Sequence, residues 1–341
     1  MSIIYKLNVE YESRQNNRLE NQDYIYADIR RNLFIVADGM QGLNGKNASK
    51  KLVESLVMNL PRKFNESDIE SALEEINDDF YQVFLSEKFS KKEEKGLGTT
   101  ADVVWFDNDI FHVFHYGDGR VYGLYKNDGG MKTLERITQD HRKGSEYVEK
   151  GMLGEDDLIV NRLNETSQYH NKSLEVVTRA IGLATIEDQG YIDVYSLPAE
   201  NYNGIMMVTD GISDFVLDDE IEEIMNEKLS LKERTSKILD SVYLNKSLVD
   251  LCMRKNSVML ADISSEMTAD LKLQYECLIN DVGAAKYLDD KGVVVQQYCK
   301  EVPELNDYFR EKIKQKIGER DNASIINIEL GEPRNVFFRF R

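Results

Sequence analysis

Three apolar runs in this chain end in Asp-Gly. They are LFIVADG, closing at Asp38-Gly39; IFHVFHYGDG, closing at Asp118-Gly119; and GIMMVTDG, closing at Asp210-Gly211. A fourth aspartate, Asp321, sits just before the run ASIINIEL. A strand that ends in an acid delivers a carboxylate to the rim of a packed scaffold. Four such acids, far apart in sequence, meet only if the fold gathers those strand ends together. Clustered carboxylates repel one another and shift their pKa values unless a cation neutralises them. Oxygen-only clusters suit hard divalent ions such as magnesium or manganese. The pattern therefore predicts a strand-rich scaffold with a multi-metal carboxylate site at one rim. Taken singly, each Asp-Gly is also a common turn dipeptide.

The remaining pattern fixes the kind of scaffold. YIYADI and LFIVAD read as strands joined by the short Arg30-Arg31-Asn32 connection. Helical spacing of Leu52, Val53, Leu56, Val57 and Leu60 predicts a helix from about Asn47 to Leu60. Asn65-Glu66-Ser67-Asp68 is a helix entry, continued by ESALEEINDDFYQVFLSEKF. The period then switches to two: ADVVWFDND, IFHVFHYGD and RVYGLYKND form a meander with Asn, Asp and Gly turns. Residues 138–175 read as polar and irregular, with helix signals near Tyr147–Gly151. Strands return between Tyr191 and Thr209, and almost everything from Asp218 to Arg320 reads helical. ASIINIEL and NVFFRFR close the chain as strands. Antiparallel strands with a few amphipathic helices predict an α+β fold with a sheet-rich core. No Pro- or Gly-rich linker marks a boundary, so residues 1–341 are expected to form a single domain. A helical insertion is expected at about 228–315.

Charge and cysteine content narrow the function classes. The net charge of −18 opposes non-specific binding to nucleic acid or anionic membrane. The three cysteines, Cys252, Cys277 and Cys299, show no CxxC spacing, so neither a zinc site nor a disulfide framework is expected. A reducing, cytoplasmic setting fits that usage. The opening MSIIYKLNVEYESRQ lacks a basic-then-apolar signal pattern.

Eight motifs follow one another along the chain: Arg18-Leu19-Glu20-Asn21-Gln22-Asp23; Asp38-Gly39-Met40-Gln41-Gly42; Gly98-Thr99-Thr100; Gly117-Asp118-Gly119-Arg120; Thr138-Gln139-Asp140-His141; Thr178 to Gly182; Asp210 with Asp214; and Asp321-Asn322. In this order they resemble the metal-dependent serine/threonine protein phosphatase family, the protein phosphatase 2C type, and its bacterial branch most closely. The resemblance implies a β-sandwich of two antiparallel sheets flanked by helices. It implies hydrolysis of phosphoserine and phosphothreonine in phosphorylated protein substrates, with a cognate serine/threonine kinase as a further partner. It implies two manganese or magnesium ions and a third at a weaker site. The aspartate matching Asp38 bridges two ions, and the carbonyl matching Gly39 is a ligand. Asp210 and Asp321 match the completion of one ion, and Asp118, Asp210 and Asp214 match the third site. Asp23 matches an acid that orders water at the metals. Arg18 matches a residue whose planar fork can grip two phosphate oxygens, which a lysine cannot do.

The departures matter as much. Gln22 brings no charge where many relatives carry Glu. Met40 stands where some relatives have a histidine acid, Gln41 replaces a flexible glycine, and Gly119 replaces the serine of GDSR. The stretch from Asp214 to Asp321 is long for the family. These features leave open a weakly active phosphatase-like module that binds a kinase or other partner, or a hydrolase of small phosphorylated metabolites. Asp214 could instead cap a helix starting near Asp218. His112 and His115 lie on opposite faces of one strand and cannot pair. His141 reads as structural and Trp105 as core.

Overall fold

The structure is a computed structural model that describes residues 2–16, 18–87, 96–126, 131–163, 171–244, 321–331 and 334–336. Its strands are β1 (Ser2–Ile4), β2 (Leu7–Arg14), β3 (Tyr24–Asp28), β4 (Leu33–Ala37), β5 (Ala101–Asp107), β6 (Ile110–Tyr116), β7 (Arg120–Lys126), β8 (Lys132–Arg136), β9 (Asp193–Pro198), β10 (Tyr202–Val208), β11 (Ala323–Leu330) and β12 (Arg334–Val336). The helices are α1 (Gly45–Asn59), α2 (Glu66–Glu87), α3 (Lys143–Glu149), α4 (Glu155–Leu163), α5 (Ile186–Gln189), α6 (Asp210–Ser213), α7 (Asp218–Met225) and α8 (Leu231–Leu244). Contacts group the chain into two units. One holds residues 1–143, 177–243 and 321–341; the other holds 144–176 and 244–320.

The first unit contains two antiparallel sheets, ordered β2-β11-β10-β7-β8 and β3-β4-β5-β6-β9, and the small β1-β12 pair. The apolar run of β4 is buried along its whole length because both of its faces are covered. Phe34 and Val36 point to the other sheet, meeting Val121, Ile205, Met207, Ile326 and Ile328. Leu33, Ile35 and Ala37 point the opposite way and pack on α1 and α2 through Leu52, Leu56, Ile69, Leu73 and Phe80. This alternation is the period-two rule applied to a strand with a partner on each side. On the outer side of the other sheet, the Arg234 side chain of α8 pairs with Glu329 of β11. α7 covers the open edge of β8: Glu222 accepts from the Leu134 amide, and the Asn226 side chain bonds both backbone groups of Lys132. Capping that edge removes a template for unwanted strand pairing.

The layers are therefore helix, sheet, sheet, helix, as the resemblance implied. The meander turns follow local chemistry: Asn108 and Asp109 both take positive φ between β5 and β6, as a two-residue hairpin requires. The helix expected from Asn47 starts at Gly45, and that expected from Asn65 spans Glu66–Glu87. The second unit supplies a finding that the sequence hid. α4 lies inside the stretch expected to be irregular, opened by the acids Glu155, Asp156 and Asp157 in its first turn. There Asn161 bonds Asn171 and Glu175. Of the expected insertion at about 228–315, α8 is described, and residues 245–320 lie outside the described residues. Residues 337–341 of the last expected strand do too. Among the described residues no helix is long and apolar enough to cross a membrane.

Candidate active site

Strand pairing alone brings the acids together. Near its C-terminal end β10 pairs Val208 with Ile325 of β11 and with Arg120 of β7. The residues just beyond these pairs, Asp210, Asp321 and Asp118, therefore lie at one end of the sheet. In the other sheet Ala37 pairs with Tyr24, which places Asp38 beside Asp23. Antiparallel neighbours alternate direction, so strand ends and strand starts share that rim.

Asp38 is held by its backbone. Its amide donates to Thr100 Oγ1 at 2.9 Å, and its carbonyl accepts from Thr100 N at 2.8 Å and Thr99 Oγ1 at 2.8 Å. The carboxylate has no hydrogen-bond partner among the described residues. Withdrawal from water pushes its pKa well above the usual carboxylate range, and the charges of Asp23, Asp210, Asp321 and Asp118 push it further. The following Gly39 is dictated by close approach. A Cβ there would run into the backbone of Gly45, and a Cβ on Gly45 into that of Gly39.

Asp23 is buried. Its Oδ2 accepts from Ser324 Oγ at 2.6 Å and Thr209 Oγ1 at 3.0 Å, while its buried Oδ1 has no partner among the described residues. Burial pushes its pKa up to about 7, opposed by the Ser324 and Thr209 hydroxyls and reinforced by Asp210 and Asp321. Asp321 forms a two-point pair with Arg18, Nε to Oδ1 at 3.0 Å and Nη2 to Oδ2 at 2.6 Å. Asn322 pins the loop that carries Arg18. It accepts from Gln22 N at 2.8 Å and donates to the carbonyls of Gln15 at 2.7 Å and Glu20 at 3.2 Å.

A buried arginine occupies the middle of the remaining carboxylates. Arg142 donates from Nε to Asp118 at 2.5 Å, from Nη1 to Asp214 at 2.8 Å and from Nη2 to Asp210 at 2.7 Å. Asp214 is thus turned to the site and does not cap α7, whose first turn follows Leu217. The short helix α6 brings Asp210 and Asp214 onto one side, as residues four apart on a helical turn must be. The pKa of Asp118 is raised, mainly by burial, with Arg142 opposing and Asp210 reinforcing the shift.

The loop before Arg142 rests on a second ion cluster. Asp140 takes three hydrogen bonds from Arg120, at 3.0, 3.3 and 2.9 Å, and one from Arg136 at 2.7 Å. Burial alone would raise the Asp140 pKa, but the two guanidinium groups hold it well below the usual range. His141 has a structural place: its Nδ1 accepts from the Gly117 amide, and its Nε2 meets Asp193 at 2.9 Å. His115 bonds Asp102 at 2.6 Å from the opposite face of β6 to His112, as expected. Asp102 also explains Gly119. A Cβ on Gly119 would collide with the Asp102 carboxylate, so the serine of the family pattern would force that buried side chain to shift. Gly119→Ala should destabilise the fold by about 1–3 kcal/mol through overpacking. Urea denaturation checks this, and in the Asp102→Ala background the added loss should shrink.

The oxygen-only donor set, with the Asp38 carboxylate and Asp23 Oδ1 unpartnered among the described residues, fits divalent cations. As placed, however, no three His, Cys, Asp or Glu among the described residues are arranged to hold a metal ion. The reason is visible. Arg142 draws Asp118, Asp210 and Asp214 to itself, and Arg18 draws Asp321. Arg18, expected at a substrate phosphate, here lies on a carboxylate. Arg142 carries no signal in the sequence beyond its place directly after the Thr138–His141 motif. Ser324 and Thr209 likewise carry none as partners of Asp23.

The comparisons agree with this architecture. The sequence profile described as protein phosphatase 2C matches residues 12–252. The serine/threonine phosphatase stp of Listeria welshimeri is 24% identical over 207 residues, covering 59% of this chain and 75% of that protein. Protein phosphatase PhpP of Streptococcus pneumoniae is 23% identical over 236 residues, covering 65% and 85%. The crystal structure of the catalytic domain of serine/threonine protein phosphatase PstP in complex with two manganese ions superposes with a TM-score of 0.57 at 17% identity. That match covers 96% of this chain and 100% of the other, and it supports the fold. Profile, motif order and sandwich agree: the chain belongs to the protein phosphatase 2C family.

Proposed function

We propose that this chain hydrolyses phosphoserine and phosphothreonine monoesters in proteins, with two divalent ions held by Asp38, the Gly39 carbonyl, Asp210 and Asp321. The observation that carries this reading is the convergence of Asp23, Asp38, Asp118, Asp210, Asp214 and Asp321 on one rim of the sandwich. Phosphate monoester dianions repel hydroxide, and their uncatalysed hydrolysis is among the slowest reactions known. When bound, two such ions neutralise phosphate oxygens and make water a nucleophile near neutral pH. The protein's own groups then position the reactants, which is most of what a loose transition state needs. Asp23 spends Oδ2 on Ser324 and Thr209, leaving Oδ1 as an acceptor for a water. Arg18 already spans two carboxylate oxygens of Asp321, and a phosphate presents a similar pair. Manganese and magnesium both suit the donor set. Phosphorylated proteins are the substrate class, and a cognate serine/threonine kinase fits among them.

Phosphate release tests this directly. Phosphoserine, phosphothreonine and phosphotyrosine peptides and small sugar phosphates are compared in manganese, in magnesium and in chelator. The proposal expects metal-dependent release from the first two peptide classes. A preference for sugar phosphates would move the substrate class. No release under any metal would favour the regulatory module, a reading to which the Arg142 ion pairs lend some weight. Arg18→Ala should raise KM for phosphopeptide by about tenfold, with kcat little changed, because the grip acts in ground and transition states alike. Unchanged KM in steady-state kinetics would make Arg18 a bystander.

A further inference from the structure

We propose that Arg142 is a built-in cation. Its guanidinium fills the position framed by Asp118, Asp210 and Asp214, so the chain takes two divalent ions and no third. This rests on the two-ion reading above and deepens it. The geometry is that of a fitted site. All three guanidinium nitrogens are used, and each points at a different carboxylate: Nε at Asp118, Nη1 at Asp214 and Nη2 at Asp210. Nη2 also reaches Asp214 Oδ2 at 3.3 Å. The side chain is almost wholly buried, as are Asp118 and Asp214. A guanidinium presents five donors in a rigid planar fork, which suits several carboxylates at once.

The backbone delivers that fork from a fixed place. The Arg142 amide donates to the Asp140 carbonyl at 2.9 Å, and Arg142 forms a β-bridge with Val177. Asp140 is gripped by Arg120 and Arg136. The neighbouring His141 amide donates to Gly117 O at 2.7 Å, and the Gly117 amide returns a bond to the His141 ring at 3.0 Å. The segment carrying Arg142 is thus tied to the segment carrying Asp118. A divalent ion at this position would need about six oxygen ligands. It would share three carboxylates with a positive charge in hydrogen-bond contact with all of them. The guanidinium already occupies the space and the carboxylate oxygens such an ion would need, so the two cannot fill the position together. The competing arrangement is one in which Arg142 withdraws when metal is supplied.

Manganese counting separates the two. Wild type and Arg142→Met are dialysed to equilibrium against saturating manganese, and bound metal is measured by atomic emission. The proposal expects two ions per wild-type chain and three in Arg142→Met. Three ions in wild type, or two in both proteins, would overturn it. No bound ion in wild type would overturn the two-ion reading along with it, an outcome distinct from a count of three. Should Arg142→Met fail to fold, wild-type crystals grown in manganese give the second measurement. The guanidinium still on Asp118 and Asp214, with ions at Asp38, is expected. An ion beside Asp118 with Arg142 swung aside would overturn the proposal.

Discussion

Asp38→Asn should lower phosphopeptide turnover by roughly a thousandfold while raising the melting temperature of the metal-free protein. The two effects have one source. Asp38 is surrounded by four other acids and takes no hydrogen bond from the described residues, so without a cation its charge is a burden on the fold. Asparagine keeps the shape and removes the charge. The fall in rate follows from losing a carboxylate that would hold the ions. Bound ions supply several kcal/mol of charge stabilisation to the transition state, and about 4 kcal/mol corresponds to that factor. Such opposition between stability and activity is common where an active site stores unfavourable charge. Single-turnover kinetics and calorimetry on the same preparations check both halves. A variant that keeps more than about a tenth of wild-type rate under saturating manganese would remove Asp38 from the set that holds the ions.

Asp140→Asn should be the most damaging single change outside the metal ligands, costing about 3–5 kcal/mol of folding free energy. It leaves Arg120, itself buried, with the longer 3.5 Å pair to Asp218 as its carboxylate partner among the described residues, and it unties the loop that delivers Arg142. A loss of that size lowers the melting temperature by roughly 10 °C in a domain this large. The pH dependence has a definite sign. The folded-state pKa of Asp140 lies below its unfolded value, so its contribution is present above about pH 4 and is lost as pH falls below that. The gap between wild type and Asp140→Asn should therefore narrow in acid. Denaturant titrations at neutral and acid pH measure it. A constant gap would mean that the damage comes from packing and not from charge.

What the sequence revealed follows a physical rule. The apolar runs could be read as strands because burial on both faces leaves no polar position, as in β4. Their terminal acids could be read as a site because antiparallel pairing makes far-apart strand ends neighbours. Gly39 could be read as a turn glycine, although its reason is contact with Gly45, a relation between two backbones that no local pattern carries. Arg142 was illegible for a similar reason. One arginine after a loop motif looks like a surface charge, and only the tertiary tether between Gly117 and His141 turns it inward. Gly119 looked like a weakened motif. Against the buried Asp102 carboxylate its reason is steric. α4 escaped notice because its charged first turn resembles a polar loop.

The most direct test of the account is a manganese titration of chelator-stripped wild-type protein, with bound metal and phosphopeptide turnover read on the same samples. Turnover is expected at background in the stripped protein, rising as the two ions at Asp38 are filled and levelling when they are full. Turnover that persists with no manganese bound would contradict it.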